Sequence, residues 1–237
     1  MKSCCSSRFG LVTLIALAAI AVAGILLAAA QPPPRQDFRT SFTVDKANLT
    51  GRGQSTYFIL EPGYRLHLGH GKDTLVITVL DETRVVDGVT TRVVEERETE
   101  GGQLAEVSRN FFAIDRSTGD VYYFGEEVDE YKNGKVSGHE GAWLSGVNGA
   151  RFGLMMPAAP RVGDRYYQEH APKVAMDRAE VLSVTAEVTV AAGSFTKCLH
   201  AKESSAIERG SEDKMYAPGV GLVKDADFEL ARIEKGK

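Results

Sequence analysis

The sequence predicts an all-β domain whose antiparallel strands form a barrel-like or strongly curved sheet. Short runs of β-branched and aromatic residues recur from Thr40 onward, and turn dipeptides separate them at close intervals. Helical periodicity after Ala30 is limited to a turn or two near residues 175–181. So many consecutive strands need a nearly closed barrel or two packed sheets, since both limit exposed strand edges. We favour the barrel and expect residues 40–237 to form a single β domain.

The overall composition is that of a folded protein without a basic surface. Of the 237 residues, 43% are hydrophobic and 25% are charged, so a packed core is expected. The 28 Lys and Arg residues against 32 Asp and Glu residues give a formal charge of −4. Such a chain lacks the positive field that gathers phosphates. Nucleic acid is therefore not expected among its partners.

The N-terminal segment is typical of an export signal. Lys2 and Arg8 precede an uncharged apolar run, Leu11 to Ala30, that ends in three alanines. This pattern predicts a signal peptide over residues 1–30, cleaved after Ala30. The alternative is an uncleaved membrane anchor, because the run is long enough to cross a hydrocarbon core of about 30 Å. Either interpretation places the domain in the periplasm or outside the cell, with membrane contact only through an uncleaved segment.

The segment that follows predicts a short spacer over residues 31–39. Its three consecutive prolines, Pro32 to Pro34, cannot join a helix and favour an extended chain.

Beyond residue 30 the only cysteine is Cys198. A single thiol forms no internal disulfide, so the core must hold the domain together, and we expect Cys198 to be a small buried side chain.

One predicted strand, residues 182–190, is marked by strict alternation of apolar and polar side chains. Its apolar members, expected to share one buried face, are Leu182, Val184, Ala186, Val188 and Val190. The other predicted strands are 56–61, 64–68, 74–80, 91–97, 106–115, 121–124, 165–170, 196–203, 214–217, 221–225 and 228–233. Asp87-Gly88 and Asn133-Gly134 favour type I′ turns, which predict two direct antiparallel hairpins.

Residues 134–163 break the strand rhythm and predict a long, Gly-rich apolar loop. Seven glycines and two prolines favour irregular backbone, because each glycine forfeits a packing side chain. The same stretch carries the only tryptophan of the chain. The loop either plugs one end of the barrel or forms a wall of an apolar pocket. In the second case the candidate ligand-binding residues are Trp143, Leu144, Phe152, Leu154, Met155 and Met156.

No motif for catalysis or metal binding stands out. His67 and His70 could share a metal only if Gly69 turned the chain, since strand positions three apart face opposite sides. Two acidic groups, residues 95–100 and 126–130, lack the pattern of a calcium loop, and we interpret both as solvated strand ends. A nucleophile elbow and phosphate-binding glycine loops are absent from the sequence. No catalytic residue, metal ligand or cofactor is therefore assigned.

Four stretches carry a likeness to other sequences. They are RNFFAIDRSTGDVYYFGEEVDEYKNGKVSGHEGAW (109–143), MPAAPRVGDRYYQE (156–169), VTVAAGSFTKCLHAKE (188–203) and MYAPGVGLVKD (215–225). They resemble a family of uncharacterised exported bacterial proteins with a domain of unknown function. The resemblance implies one secreted β domain and no known activity. At Ala191-Ala192-Gly193 the family pattern has a proline before Ala-Gly, a departure that affects turn rigidity rather than chemistry.

The first functional hypothesis is an exported cell-envelope protein that binds a lipid or another apolar or amphipathic ligand near residues 143–156 without catalysing a reaction. The second is a structural or interaction domain whose loop is packed shut and whose partner is another envelope protein. The third is a metal-dependent enzyme, which requires at least three of the five histidines to converge with nearby acids.

Overall fold

The computed structural model describes residues 37–236, and these form one antiparallel sheet. The predicted signal peptide, residues 1–30, and the first part of the predicted spacer, residues 31–36, lie outside the described residues. Between residues 37 and 236 the one helix is a single turn, Lys46–Asn48, so no helix there has the length or apolar character to cross a membrane. The all-β prediction is confirmed.

The sheet contains sixteen strands, six of them 12–14 residues long, and most strands pair with a neighbour in sequence. In chain order they are β1 (Leu49–Thr50), β2 (Arg65–His70), β3 (Asp73–Val86), β4 (Val89–Glu100), β5 (Gln103–Asp115), β6 (Val121–Lys132), β7 (Lys135–Gly138), β8 (Trp143–Leu144), β9 (Arg151–Met156), β10 (Arg165–Tyr167), β11 (Glu169–His170), β12 (Asp177–Val190), β13 (Gly193–Ser205), β14 (Glu212–Ala217), β15 (Gly221–Asp225) and β16 (Phe228–Glu234).

The sheet curls into a nearly closed barrel. Its strand order runs β10-β12-β13-β14-β15-β16-β2-β3-β4-β5-β6-β9-β11. The two edge strands of this order, β10 and β11, follow each other in the chain with only Gln168 between them. One short segment therefore pairs with β12 on one side and with β9 on the other, and it forms the seam of the barrel. Closure removes the exposed edges that so long a sheet would otherwise present.

Both predicted type I′ hairpins are confirmed. Asp87 and Gly88 have φ angles of 49° and 77°, and Asn133 and Gly134 have φ angles of 53° and 71°. These turns join β3 to β4 and β6 to β7 in direct antiparallel pairs. Positive φ at both central residues matches the right-handed twist of the flanking strands.

Two predictions for the region of β12 need correction. Leu182 is exposed, whereas Val188 and Val190 are buried, because register shifts along the β12–β13 pair reverse the alternation between residues 181 and 188. The helical turn near 175–181 is wrong as well, since β12 already begins at Asp177.

Predicted strand 56–61 is also wrong, because this segment makes only an isolated bridge between Gln54 and Ile59. Instead of extending the sheet, it folds across one end of the barrel. The Tyr57 hydroxyl donates to the Lys197 carbonyl at 3.0 Å, and Leu60 is fully buried. Closing that end stabilises the fold, because it removes large apolar side chains from water.

The Gly-rich segment 134–163 contains three short strands, β7, β8 and β9, between tight turns. β8 and β9 add to the side of β6, so the segment lies against the barrel wall.

Cys198 is fully buried and free, as expected of a small core side chain. The last residues of the predicted spacer also touch the barrel, where the Arg165 guanidinium lies 3.9 Å from the centre of the Phe38 ring.

Candidate functional site

The barrel interior holds two adjoining cavities of opposite character. One is apolar and lies beneath the segment that closes the barrel end; the other is lined mainly by polar and acidic side chains. Four side chains line both cavities: Glu96, Phe112, Met155 and Lys214. The two cavities therefore form one lumen with an apolar and a polar compartment.

The apolar compartment is small and rich in aromatic rings. Its volume is about 80 Å³, less than the roughly 150 Å³ of an engineered cavity that binds benzene. Its walls come from the closing segment and from strands β2 to β5, β9, β14 and β15. The apolar and aromatic lining residues are Tyr57, Phe58, Ile59, Tyr64, Leu66, Ile77, Val79, Val94, Phe112, Met155, Tyr216, Val220 and Leu222.

The polar compartment has a volume of about 190 Å³ and carries an excess of carboxyl groups. Six acidic side chains and one basic side chain line it: Glu96, Glu106, Glu126, Glu169, Asp177, Glu203 and Lys214. Asp177, Glu203 and Lys214 also line a cavity of about 310 Å³ beside the exposed turn between β13 and β14. The polar compartment therefore lies on the route from solvent to the apolar compartment.

The strand register explains why acidic side chains face inward. Ser108 on β5 pairs with Glu96 on β4, and Asn110 pairs with Glu126 on β6, so these four side chains share one face of the sheet. Between Tyr123 and Glu126 the pairing of β6 with β5 shifts register, and Gly125 lies in this stretch with a φ of 136°. A Cβ at Gly125 would lie 2.4 Å from the Trp143 carbonyl oxygen, so only glycine fits there.

The register shift turns both Tyr123 and Glu126 toward the lumen, although they lie three positions apart. Tyr123 is buried, and its hydroxyl donates to Asn110 Oδ1. Its ring stacks on Phe112 with centroids 4.6 Å apart. An aromatic pair therefore forms one wall of the polar compartment, next to the carboxyl groups.

Lys214 forms the ionic centre of the polar compartment. Its Nζ lies 3.2 Å from Glu203 Oε2 and 3.2 Å from Asp225 Oδ2. The second oxygen of Glu203 accepts hydrogen bonds from Gln168 Nε2 at 2.8 Å and from the Tyr216 hydroxyl at 3.2 Å. Burial lowers the pKa of the Lys214 amine, but these carboxylates outweigh burial and raise it well above its usual value.

Gln168 connects the seam of the barrel to the polar compartment. Its backbone N–H donates to the Asp177 carbonyl at 2.8 Å, and its side chain is 3% exposed. Gln168 Nε2 is committed to Glu203, whereas Gln168 Oε1 is a buried acceptor without a hydrogen-bond partner among residues 37–236. A buried amide oxygen left unpaired costs free energy, so this atom indicates a missing donor.

Several carboxyl groups of the lumen hold their protons more tightly than usual. Burial raises the pKa of Glu96 to about 7, and the nearby carboxyls of Asp225 and Glu106 add to the rise against the opposing charge of Lys214. Burial raises the pKa of Glu126 to about 8 despite its hydrogen bond with Tyr123. Burial and the Glu126 carboxyl raise the pKa of Glu169 well above its usual value.

These shifts predict that the empty protein loses stability as the pH rises. The Glu126 carboxyl has a pKa of about 8 in the folded protein and about 4.3 when unfolded. The folded state therefore binds more protons between these values, and the free energy of unfolding falls across this interval. Glu126→Gln should remove part of this slope and be more stable than the wild type by about 1 kcal/mol at about pH 8.5.

Urea denaturation at about pH 5.5 and about pH 8.5 measures this slope. Glu187→Gln is the matched control, because Glu187 is exposed on β12 and should leave the wild-type slope unchanged. A Glu126→Gln protein with the full wild-type slope would contradict the assignment of Glu126 to the lumen.

The acidic groups therefore correct one sequence interpretation. Glu96 and Glu126 line the lumen, whereas Arg97 and Glu127, their neighbours in sequence, are exposed. Successive residues of a strand face opposite sides of the sheet. In a run of charged residues the inward and outward positions therefore look alike in the sequence. The sequence does hold one signal of this orientation. Glu96 lies two residues after the apolar Val94, on the same face of β4.

The six candidate ligand-binding residues do not line one cavity. Trp143 and Leu144 line an outer pocket, Met155 lines the lumen, and Phe152 packs against Phe124 with ring centroids 4.9 Å apart. Leu154 and Met156 are each 1% exposed. Their role in binding a ligand stays a prediction, and of the six only Met155 contacts both compartments of the lumen.

The outer pocket lies between β8 and the turn after β11. It has a volume of about 270 Å³ and is lined by Trp143, Leu144, Val147, Val174 and smaller side chains, together with Glu126 and Glu127. The indole Nε1 of Trp143 is buried and has no hydrogen-bond partner among the described residues. The Trp143 ring meets Tyr123 edge to face at 5.4 Å, and Glu126 lines both the outer pocket and the polar compartment, so the two spaces adjoin.

The five histidines are dispersed, and most have a local polar partner. His67 contacts Glu234 at 3.0 Å, His200 contacts Asp213 at 2.8 Å, and His139 contacts Asp129 at 3.0 Å. His170 lies 3.0 Å from an Arg151 guanidinium nitrogen, and the ring of His70 lies near Phe228. Within residues 37–236, no three His, Cys, Asp or Glu side chains are placed to hold a metal ion.

Comparison with known proteins gives a distant likeness in fold. No protein-family model and no curated protein matches the sequence. A solved structure from Parabacteroides distasonis ATCC 8503, described as a "putative lipoprotein", is similar with a TM-score of 0.37 and 12% sequence identity. The alignment covers 77% of this chain and all of that chain. At this similarity the site must be interpreted from its own residues.

Proposed function

We propose that this chain is an exported cell-envelope protein that binds a small amphipathic molecule inside its barrel, without catalysing a reaction. The observation that carries the proposal is the two-compartment lumen, in which apolar and acidic walls share four side chains. Ligand sites typically combine an apolar body with a few placed polar groups. Export is supported by the uncharged run Leu11 to Ala30, and membership of the uncharacterised exported family belongs to the same proposal.

The size of the compartments limits the ligand. The apolar compartment of about 80 Å³, smaller than a cavity that binds benzene, suits a short alkyl chain. The larger polar compartment, about 190 Å³, suits the head of the same molecule. A lipid would place only part of one chain inside the lumen, so a compact amphipath fits these volumes better than a full lipid does.

A titration with 1-hexanol tests the proposal. In amide NMR spectra, we expect saturable shifts at residues of β2, β3 and β15, which line the apolar compartment. Ile77→Phe should abolish these shifts, because the larger ring fills a cavity that Ile77 lines. Val85→Phe is the matched control on the same strand, since Val85 is 69% exposed, and it should bind like the wild type.

Saturable binding that Ile77→Phe removes and Val85→Phe keeps would support the proposal. The absence of saturable shifts in the folded wild type would overturn it. That outcome would favour the alternative, an envelope interaction domain whose interior serves packing alone.

A further inference from the structure

We propose that the ligand of the lumen is an amine, whose protonated ammonium head lies in the polar compartment and whose apolar part enters the compartment lined by Ile77 and Leu222. The inference rests on the proposed function and names the chemistry of the head group. It predicts three acceptors for the ammonium N–H groups: Gln168 Oε1 and the carboxylates of Glu126 and Glu169.

The balance of donors and acceptors supports a cationic donor. Six carboxyl groups and one amine line the compartment, and that amine is already paired with Glu203 and Asp225. Other donors are committed as well, since Gln168 Nε2 donates to Glu203 and Asn110 Nδ2 donates to Ser108 Oγ. The amine and amide donors of the compartment are therefore committed, and an ammonium group would add both further donors and positive charge.

Gln168 Oε1 is the independent sign that a donor is missing. This oxygen is buried without a partner, and its side chain lines the polar compartment. Since Gln168 also forms the turn between the two edge strands, the seam holds the side chain in place before a ligand arrives. A preorganised acceptor lowers the entropic cost of binding.

The walls of the compartment favour an organic cation over a metal ion. Phe112 and Tyr123 both line the same space, and aromatic rings attract ammonium groups. Metal ions instead need several oxygen ligands at fixed short distances. Among residues 37–236, no three acidic or histidine side chains meet that requirement.

The raised pKa values fit the same picture. Without a cation, the carboxyls of Glu126 and Glu169 keep protons that limit repulsion between them. An ammonium group would displace those protons, so binding releases protons and the affinity rises with pH until the carboxyls are ionised. The titratable groups that line the polar compartment are Glu96, Glu106, Tyr123, Glu126, Glu169, Asp177, Glu203 and Lys214. The neighbouring groups that act on them are Glu98, Glu130, Tyr216 and Asp225.

Calorimetric titrations with hexylammonium, 1-hexanol and hexanoate test the inference, because the three probes differ only in the head group. At about pH 8, we expect hexylammonium to bind about tenfold more tightly than 1-hexanol, and hexanoate more weakly than both. The preference for hexylammonium should decrease at about pH 5.5. Glu169→Gln should remove most of this preference and leave 1-hexanol binding within about threefold of the wild type. The control Glu187→Gln should change neither affinity.

The possible outcomes distinguish failure of the amine inference from failure of the proposed function. If 1-hexanol binds as tightly as hexylammonium, or if Glu169→Gln keeps the full preference, the amine inference is overturned and the amphipath proposal stands. If Mg²⁺ or Ca²⁺ alone binds with one-to-one stoichiometry and displaces hexylammonium, the compartment is a metal site and the inference is likewise overturned. If none of the three probes binds, the proposed function itself fails.

Discussion

Lys214→Met should lower the free energy of unfolding by about 3 kcal/mol at neutral pH, because it leaves two partly buried carboxylates without their counter-charge. Glu203 and Asp225 are 14% and 16% exposed at the side chain, so water solvates them only in part. Methionine keeps the length and apolar stem of lysine and removes the charge. Urea denaturation of the ligand-free protein measures the loss.

Two further variants make the Lys214 result specific. Lys202→Met is the matched control on the neighbouring strand β13, where the exposed Lys202 forms no ion pair among the described residues. It should change the stability by less than about 0.5 kcal/mol. Lys214→Met combined with Asp225→Asn should recover part of the loss, since one unpaired charge is removed. A single Lys214→Met protein as stable as the wild type would contradict the central role of this amine.

Gly153→Ala should destabilise the protein by about 3 kcal/mol and lower its Tm by roughly 6–12 °C. Gly153 lies on β9 beside the seam, and a Cβ there would lie 2.2 Å from the Gln168 carbonyl oxygen and 2.6 Å from that of Tyr167. Both atoms belong to the backbone, so no side-chain rotation relieves the contact. The seam would have to separate from β9 to accommodate one methyl group.

Gly69→Ala is the control for this substitution. Gly69 also lies within a strand, but its added Cβ would be 3.6 Å from the nearest atom, the Asp73 carbonyl oxygen, which is an ordinary contact. This variant should stay within about 1 kcal/mol of the wild type. Thermal unfolding followed by circular dichroism compares the two. Equal stability of both variants would show that the seam is loose enough to accept a side chain.

Lys214→Met and Gly153→Ala probe the two elements on which the proposed site depends. Lys214 compensates charge at the mouth of the polar compartment, and Gly153 permits the close approach that places Gln168 against the lumen. Loss of stability at Gly153 would show that the seam needs this close approach, and loss at Lys214 would show that the compartment needs its counter-charge. A binding site that carries unpaired acceptors typically lowers the stability of the empty protein.

The sequence by itself determined the strands and most of their connections. Alternating and β-branched runs reflect local burial with a period of two residues, and Asp87-Gly88 and Asn133-Gly134 determine their turns through backbone sterics alone. These are short-range effects, so they can be read from neighbouring residues. Cys198 is buried, as expected of a small apolar side chain.

Only the tertiary structure decided which side chains share the lumen. Glu126 faces inward because it pairs with Asn110 on β5, and Gln168 lies at the seam because two distant strands pair on either side of it. Neither fact has a local sequence signature, since each depends on partners more than ten residues away. For the same reason Trp143 and Met155, which the sequence grouped in one loop, lie on different pockets. Strand pairing over long separations, and not local preference, brings the carboxyl groups together.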